Sequence, residues 1–168
     1  MKRLLCSLLV LSCFFCLCAC DAENDEASTQ FYYVRNAYLY GQEDSVIASE
    51  KRMIDGFSDE QAILRSYLDG PKDPALASPF PSGTQIVEFM YKEETLYVTL
   101  STHIVTLSKA KQVLACACFA RTAMELTQVK AVYFQTDNTD FARMEPILID
   151  ENSVLLYDNY NAPNPSEP

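Results

Sequence analysis

His103 is the only histidine of the chain, and its side chain is the one best suited to general acid–base chemistry near neutral pH. It follows Ser101 and Thr102, whose hydroxyls are nucleophiles in principle, and Asp59 or Asp73 would have to complete a triad. Nothing around these residues has the glycine-flanked serine of a nucleophile elbow. We therefore expect a solvated loop histidine and predict no catalytic residues.

Two cysteines outside the N-terminal region, Cys116 and Cys118, lie in a segment with helical periodicity. Residues two apart on a helix point about 200° away from each other, so the two thiols can neither bridge nor jointly bind a metal. We expect Cys116 in the core and Cys118 as a partly exposed thiol. The carboxylates after residue 136 lack the spacing of a calcium loop, so we predict no metal site and no cofactor.

The N-terminus has the layout of a secretory signal, with Lys2 and Arg3 before the apolar run 4–17. That run is shorter than the roughly 20 residues that span a bilayer. It ends in Leu-Cys-Ala-Cys, which resembles a bacterial lipobox with Cys20 as the lipidated residue. Cleavage before Cys20 would leave a lipid-anchored protein at the outer face of the cytoplasmic membrane. An ordinary cleaved signal peptide is the alternative.

The chain is acidic, with 23 Asp and Glu against 13 Lys and Arg and a formal net charge of −10. This charge repels nucleic-acid phosphates and anionic lipid headgroups, so we do not expect the chain to bind nucleic acid. Membrane attachment must then come from the lipid, and two acyl chains suffice for stable anchoring. The polar residues that follow Cys20 are typical of a flexible tether.

The sequence after the tether predicts one α+β domain. Residues 31–40 and 45–54 form a predicted hairpin, and Ser58 with Gln61 forms a capping box at the start of a first helix. Gly70-Pro71 ends that helix, and the proline-rich stretch 70–83 is expected to be a stiff surface loop.

The second half of the domain is also predicted to contain strands and a helix, without an internal sequence repeat. Residues 84–91 and 96–101 form a second predicted hairpin, a helix is predicted over 108–126, and a strand over 129–136. A short hairpin is predicted within 146–157. The resulting fold class is α+β, a mixed β-sheet with two helices packed on one face.

Four segments in this order resemble the GerMN domain of spore germination proteins: YLDGP, PSGT, LYVTLS and ELTQVKAVYF. The positions that carry the resemblance are Leu68, Gly70, Pro71, Pro81, Gly83, Thr84, Leu96, Val98, Leu100, Ser101, Leu126, Thr127, Val129 and Val132. The chain departs from the family at Met124–Thr127, where a Thr-Leu-Thr run is usual, and at Asp137-Asn138, which replace a glycine turn. The resemblance implies a fold similar to ring-building motifs.

The predicted organisation is a lipoprotein signal peptide at 1–19, an acidic tether at 20–30, a GerMN domain at 31–136, an extension with a β-hairpin at 137–158 and a disordered tail at 159–168. The resemblance implies an envelope lipoprotein of sporulation, germination or cell-envelope assembly that binds protein partners and supplies no catalytic residues. Self-association between copies stays open.

Two surfaces could carry binding. Phe31, Tyr32 and Tyr33 are consecutive rings that cannot all face one core, so at least one of them is expected to be exposed or to pack against the second helix or a partner. These three residues and Phe80 are the predicted interaction surface if a partner is bound. The alternative function is binding of a small ligand derived from the cell wall, stacked on Tyr97 and Tyr133 in a concave pocket.

Overall fold

The computed structural model describes residues 28–36, 46–54, 59–137 and 143–153. The predicted signal peptide, Cys20 and the predicted tail at 159–168 lie outside these ranges. No helix within the described ranges has the length and apolar character needed to cross a bilayer.

The first sheet is built on a hairpin. Strand β1 (Ser28–Arg35) pairs antiparallel with β2 (Ile47–Met53), and the register runs from Ser28 opposite Met53 to Val34 opposite Ile47. This agrees with the predicted hairpin. The range predicted as tether, 20–30, is wrong at its end, because the strand already begins at Ser28 and Thr29 is buried.

The first helix, α1 (Glu60–Ser66), begins one residue later than the capping box predicts. Asp59 is the N-cap, and its carboxylate accepts the Gln61 N–H at 3.4 Å, whereas Ser58 lies outside the described residues. A 3-10 turn over Tyr67–Asp69 continues the helix. Gly70 follows with φ +89°, a conformation that favours glycine, as the predicted helix end requires.

The stretch 70–83 is not only a surface loop. Strand β3 (Leu76–Ala77) pairs antiparallel with the end of β1, so the first sheet has the order β2-β1-β3. Leu76 in β3 is buried, and Phe80, three residues beyond the strand, is buried with its ring centroid 6.0 Å from that of Tyr67. The prediction of a surface loop is therefore wrong for Leu76, Ala77 and Phe80.

The second sheet has the order β4-β5-β6-β7. Strands β4 (Ile86–Lys92) and β5 (Thr95–Leu100) form the predicted second hairpin, joined through Glu93 and Glu94. Strand β6 (Ala131–Thr136) runs parallel to β5, and β7 (Ile147–Asp150) runs antiparallel to β6. The first arm of the predicted C-terminal hairpin thus joins this sheet, and its second arm lies outside the described residues.

Helix α2 (Lys109–Thr127) connects β5 to β6 and lies close to the predicted range. It contacts β1 of the first sheet and β6 and β7 of the second. Its Phe119 ring lies 5.2 Å from the Tyr67 ring, 5.8 Å from Phe134 and 6.3 Å from Phe80 between ring centroids. This aromatic contact is the centre of the core.

Because both sheets pack on α2, the helix is buried on more than one face. Cys116 and Cys118 are both fully buried, so the expectation of a partly exposed thiol at Cys118 is wrong. Burial also raises the pKa of the Cys116 thiol far above its usual value, which keeps it protonated and unreactive.

The α+β class is confirmed, but two sheets replace the single mixed sheet of the prediction.

One edge of β1 pairs with β3 only at Val34 and Arg35. Earlier along this edge, helix α2 lies in the place where a further strand could pair. The Tyr32 N–H donates to Thr122 Oγ1 at 2.9 Å, and the Gln30 N–H donates to Glu125 Oε1 at 3.2 Å. Side chains of α2 therefore satisfy these backbone donors at the edge of the sheet.

We predict that Thr122→Val lowers the free energy of unfolding by about 1–3 kcal/mol, because it leaves the Tyr32 N–H without its acceptor in a buried setting. The matched control is Thr127→Val, whose hydroxyl only donates to Ala123 O near the helix end, with an expected loss of about 0.5 kcal/mol or less. Urea unfolding followed by circular dichroism measures both variants. Equal losses would contradict the role given to the Thr122 hydroxyl.

Candidate functional site

His103 lies in a 3-10 turn (Thr102–Thr106) that follows β5. The side chain is exposed, and its Nδ1 lies 3.3 Å from Ser101 Oγ, which also accepts the Gln85 N–H at 3.0 Å. The ring packs against Gly83, where an added Cβ would lie 3.3 Å from it. In the part of the chain that the structure describes, no carboxylate is recorded as a partner of His103. The residues thus form a local turn rather than a triad.

The predicted aromatic surface is wrong for three of its four residues. Phe31 and Tyr33 are buried at 1% and 0% exposure, because alternate residues of β1 face the core. Phe80 lies outside β1 and is buried at 6% exposure, with its ring packed edge-on against Tyr67 and Phe119. Tyr32, on the opposite side of β1, is half-buried, and the Arg121 guanidinium lies 4.3 Å from its ring centroid. Its hydroxyl donates to Glu125 at 2.8 Å, so this ring is held against α2.

The positions that carry the family resemblance lie in the core or in turns. Leu96, Val98 and Leu100 are buried on the side of the second sheet that faces α2. Thr84 is buried and its hydroxyl donates to Pro81 O at 2.8 Å, which closes the turn around Gly83. The rest are at least partly buried, namely Leu68, Gly70, Pro71, Pro81, Ser101, Leu126, Thr127, Val129 and Val132.

A partly buried ion pair that the sequence reasoning did not identify holds the turn after α1. The Arg52 guanidinium pairs with Glu50 and donates to Gly70 O at 2.6 Å and to Tyr33 Oη at 3.0 Å. It also lies 4.3 Å from the Phe31 ring centroid. The hydrogen bonds described for the Arg52 guanidinium are therefore all accepted by groups of this chain.

Glu50 is equally well bonded. Its carboxylate accepts the Lys72 N–H at 2.9 Å and the Asp73 N–H at 2.8 Å. Burial alone would raise the pKa of the Glu50 carboxyl, but these two backbone bonds and Arg52 outweigh it and lower the pKa below its usual value. A cleft of about 500 Å³ adjoins this pair, lined on one side by Met53. Because the charges are already paired, we assign the network a structural role.

The exposed apolar side chains of the second sheet form a different arrangement. On the side away from α2, the register places Met90 beside Tyr97, Tyr97 beside Tyr133, and Tyr133 beside Leu148. These four residues, the apolar row, cross all four strands and span about 14 Å at the usual strand spacing. Met90 and Leu148 at its ends are 51% and 56% exposed, and the Tyr97 and Tyr133 ring centroids lie 5.2 Å apart.

Sequence reasoning named Tyr97 and Tyr133 but missed Met90 and Leu148. The alternation of side chains along β4 and β7 could have assigned Met90 and Leu148 each to one face of its strand. Only the pairing register between the strands shows that they align with Tyr97 and Tyr133 across the sheet. The four clefts described along the chain, of about 460–580 Å³, are lined by neither tyrosine. The concave aromatic pocket expected for a small wall ligand is therefore not found among them.

No metal site emerges from the described residues, because no three His, Cys, Asp or Glu side chains among them converge on one point.

We predict that Glu50 makes a pH-dependent contribution to stability. Its pKa is lowered on folding, so this contribution is fully present above the usual pKa of about 4.5 and is lost as the pH falls through the lowered value. Glu50→Gln should lower the free energy of unfolding at pH 7 by about 1–3 kcal/mol, since it removes the carboxylate that pairs with partly buried Arg52. The difference from the unmodified chain should shrink as the pH falls below 4.5.

Urea unfolding at successive pH values measures this difference. Glu145→Gln is the control, because Glu145 is exposed and pairs with Lys109 at the surface. A difference between Glu50→Gln and the unmodified chain that stays constant with pH would refute the assignment.

Comparison with known proteins identifies the fold. The tandem GerMN domains of the sporulation protein GerM from Bacillus subtilis match with a TM-score of 0.50 at 15% identity, over 71% of this chain and 43% of that chain. The chain thus spans less than half of that structure. A candidate lipoprotein from Clostridium perfringens matches with a TM-score of 0.42 at 19% identity, over 74% of this chain and 87% of that chain. A search of curated proteins gave no match.

The family assignment rests on the sequence itself. A model of the Germane family, described as sporulation and spore germination, matches residues 30–141, a range that includes β2 to β6 and all but the first two residues of β1. The matched range includes the turn around Gly70, the strand Thr95–Leu100 and helix α2. The chain therefore belongs to the Germane (GerMN) family of sporulation and spore germination domains.

Proposed function

We propose that this chain is a non-catalytic docking domain, anchored by lipid at the outer face of the cytoplasmic membrane, that binds a protein partner in sporulation, germination or envelope assembly. The observation that carries the proposal is the apolar row on the outer side of the second sheet. Its end residues, Met90 and Leu148, are exposed and its two tyrosines are partly buried, and apolar surface of this kind is costly in water unless it is covered.

The residue types of the apolar row favour a protein partner over a small ligand. Tyr and Met are enriched at the centres of protein interfaces, and Tyr is among the residues that dominate binding energy. The exposed ends of the row, Met90 and Leu148, offer no hydrogen-bonding groups for a sugar. A flat arrangement of apolar side chains with tyrosine hydroxyls between them suits another protein surface.

A non-catalytic role is supported by what surrounds the residues that could do chemistry. Ser101 already accepts a backbone N–H, and the histidine beside it is an exposed turn residue. Cys116 is held protonated in the core, and the partly buried pair of Arg52 and Glu50 is directed at the chain's own backbone. Family membership in sporulation and germination domains is consistent with this role.

Anchoring at Cys20 is supported by the sequence. The Leu-Cys-Ala-Cys motif after an apolar run of signal length marks Cys20 as the acceptor, and the acidic chain has no basic surface to hold it on anionic lipids. Two acyl chains would then keep the docking domain at the membrane while leaving its apolar row accessible to a partner.

The docking surface can be tested by site-specific photo-crosslinking. The full chain carries p-benzoylphenylalanine in place of Leu148 in its native bacterium, and the yield of partner adduct is measured with and without Met90→Ser. We expect about a tenfold lower yield for Met90→Ser, because truncating an apolar anchor in an interface costs more than 1 kcal/mol. Met53→Ser is the matched control, since Met53 is 58% exposed on the other sheet.

The proposal fails if Met53→Ser lowers the adduct as much as Met90→Ser does, or if neither variant changes it. Adduct identity is read by mass spectrometry, and the adduct must contain a defined segment of one protein rather than a mixture.

We also predict that Cys20→Ser moves the protein out of the membrane fraction. The substitution removes the thiol that would accept the diacylglyceryl group, and the acidic chain offers no other attachment. Fractionation followed by immunoblotting measures the distribution, with Cys18→Ser as the control that should remain with the membrane. An unchanged distribution for Cys20→Ser would rule out the anchor.

A further inference from the structure

A polar row runs beside the apolar row on the same side of the second sheet. Its members lie two residues from Met90, Tyr97 and Tyr133 on the same strands. The register places Glu88 opposite Thr99 and Thr99 beside Gln135. The Gln135 Nε2 donates to Thr99 Oγ1 at 3.1 Å, which orients the amide so that its carbonyl oxygen stays available as an acceptor. The apolar row is therefore bordered by acceptor groups and one carboxylate.

This polar row opens into a cleft of about 580 Å³. Besides Glu88, Thr99 and Gln135, the cleft is lined by Asp137 and Arg143. Because side chains alternate between the two faces of a strand, Gln135 and Asp137 lie on the same side of the sheet as Tyr133. The cleft is thus continuous with the apolar row and is reached from the same surface.

Asp137 is held in place by its backbone, because its N–H donates to Leu100 O at 2.9 Å. Its Oδ1 is buried and accepts no hydrogen bond from any residue in the described part of the chain. A carboxylate with one oxygen removed from water and no donor is incompletely compensated. Asp137 itself is only partly buried and lines the cleft, so a cation that enters the cleft can offset its charge.

The chemistry of the cleft selects its occupant. The cleft is lined by two carboxylates, those of Glu88 and Asp137, by the amide of Gln135 and by one cationic side chain, that of Arg143. No ion pair between Arg143 and either carboxylate is found among the described residues. The chain as a whole carries a net charge of −10, which favours basic partners. Charge complementarity therefore points to a positively charged group with several hydrogen-bond donors.

We infer that the protein partner covering the apolar row inserts a lysine or arginine side chain into this cleft, between Glu88 and Asp137. The inference rests on the proposed docking function and adds the chemistry of the partner to it. Apolar contact with the row supplies the buried area, while the cationic side chain fixes the position and orientation of the partner.

The photo-crosslinking experiment with p-benzoylphenylalanine at position 148 tests this inference. We expect Asp137→Asn to lower the adduct yield about tenfold, and Asp137→Glu to retain part of it because the charge is kept. Glu145→Gln is the matched control, as Glu145 is an exposed carboxylate near the cleft that already pairs with Lys109. Arg143→Gln should leave the yield unchanged or raise it, because Arg143 competes with an incoming cation.

The outcomes separate the two proposals. If Met90→Ser lowers the adduct but Asp137→Asn does not, the docking function stands and the cationic group is refuted. If Arg143→Gln lowers the yield as strongly as Asp137→Asn is expected to, the partner is acidic and the inference fails. An adduct of the chain with itself, or a crosslinked segment without Lys or Arg, also overturns it.

A small probe gives a second measurement that needs no identified partner. The full chain in detergent micelles is titrated with N-acetyl-arginine methylamide and with its neutral analogue N-acetyl-citrulline methylamide, followed by NMR. We expect the Thr99 and Gln135 amide signals to shift with the arginine compound only, and Asp137→Asn to abolish the shift. Equal shifts with both compounds would overturn the inference, and circular dichroism checks that each variant is folded.

Discussion

The structure depends on one arrangement, the packing of helix α2 against both sheets at once. Thr122 is fully buried, and its hydroxyl accepts the Tyr32 N–H of β1 while donating to Cys118 O within the helix. Glu125 repeats the contact one turn later with the Gln30 N–H. These bonds complete a strand edge without a further strand, because a side chain supplies the acceptor that a backbone carbonyl would have provided. The small residues Ala115, Ala117 and Ala120 let the helix approach closely, and Phe119 fills the space between the sheets.

The charged groups of the chain divide into two sets with different roles. The partly buried pair of Arg52 and Glu50 is directed at backbone groups of the turn after α1, so it fixes the position of Gly70 and the strand that follows. Such a pair is stable only when its remaining hydrogen bonds are made, as they are in this network. Asp137 Oδ1 lacks this compensation from described residues, whereas Glu88 is exposed, and both residues line a cleft beside exposed apolar side chains. Complete pairing is typical of a structural role, and incomplete pairing is typical of a surface that meets a partner.

Much of the fold could be predicted from local sequence. The two hairpins, the start of α2 near Ser108 and the left-handed glycine at Gly70 follow from alternation, helix periodicity and turn chemistry. What failed depended on tertiary contacts. Cys118 and Thr122 lie on the polar side of an ideal helical wheel, yet both are buried, because α2 also packs against β1 of the first sheet, which Thr122 contacts directly. Phe31 and Tyr33 could not be separated from Tyr32 by composition, since only the alternation within β1 decides which ring faces inward. The burial of Phe80 depends on its packing against Tyr67 and Phe119, which no local pattern encodes. The apolar row needs the register between four strands, and no single strand encodes it.

The parallel pairing of β5 with β6 has a consequence for when the protein becomes competent to bind. The hairpin of β4 and β5 is local, but Tyr133 reaches Tyr97 only after α2 has crossed the sheet, across 36 residues of sequence. Contacts of such separation form late because loop closure must precede them. A chain that is not fully folded would therefore display half of the proposed docking surface. Under the proposed function, binding of a partner would then require complete folding, so that unfinished molecules would be left unbound without any dedicated proofreading component.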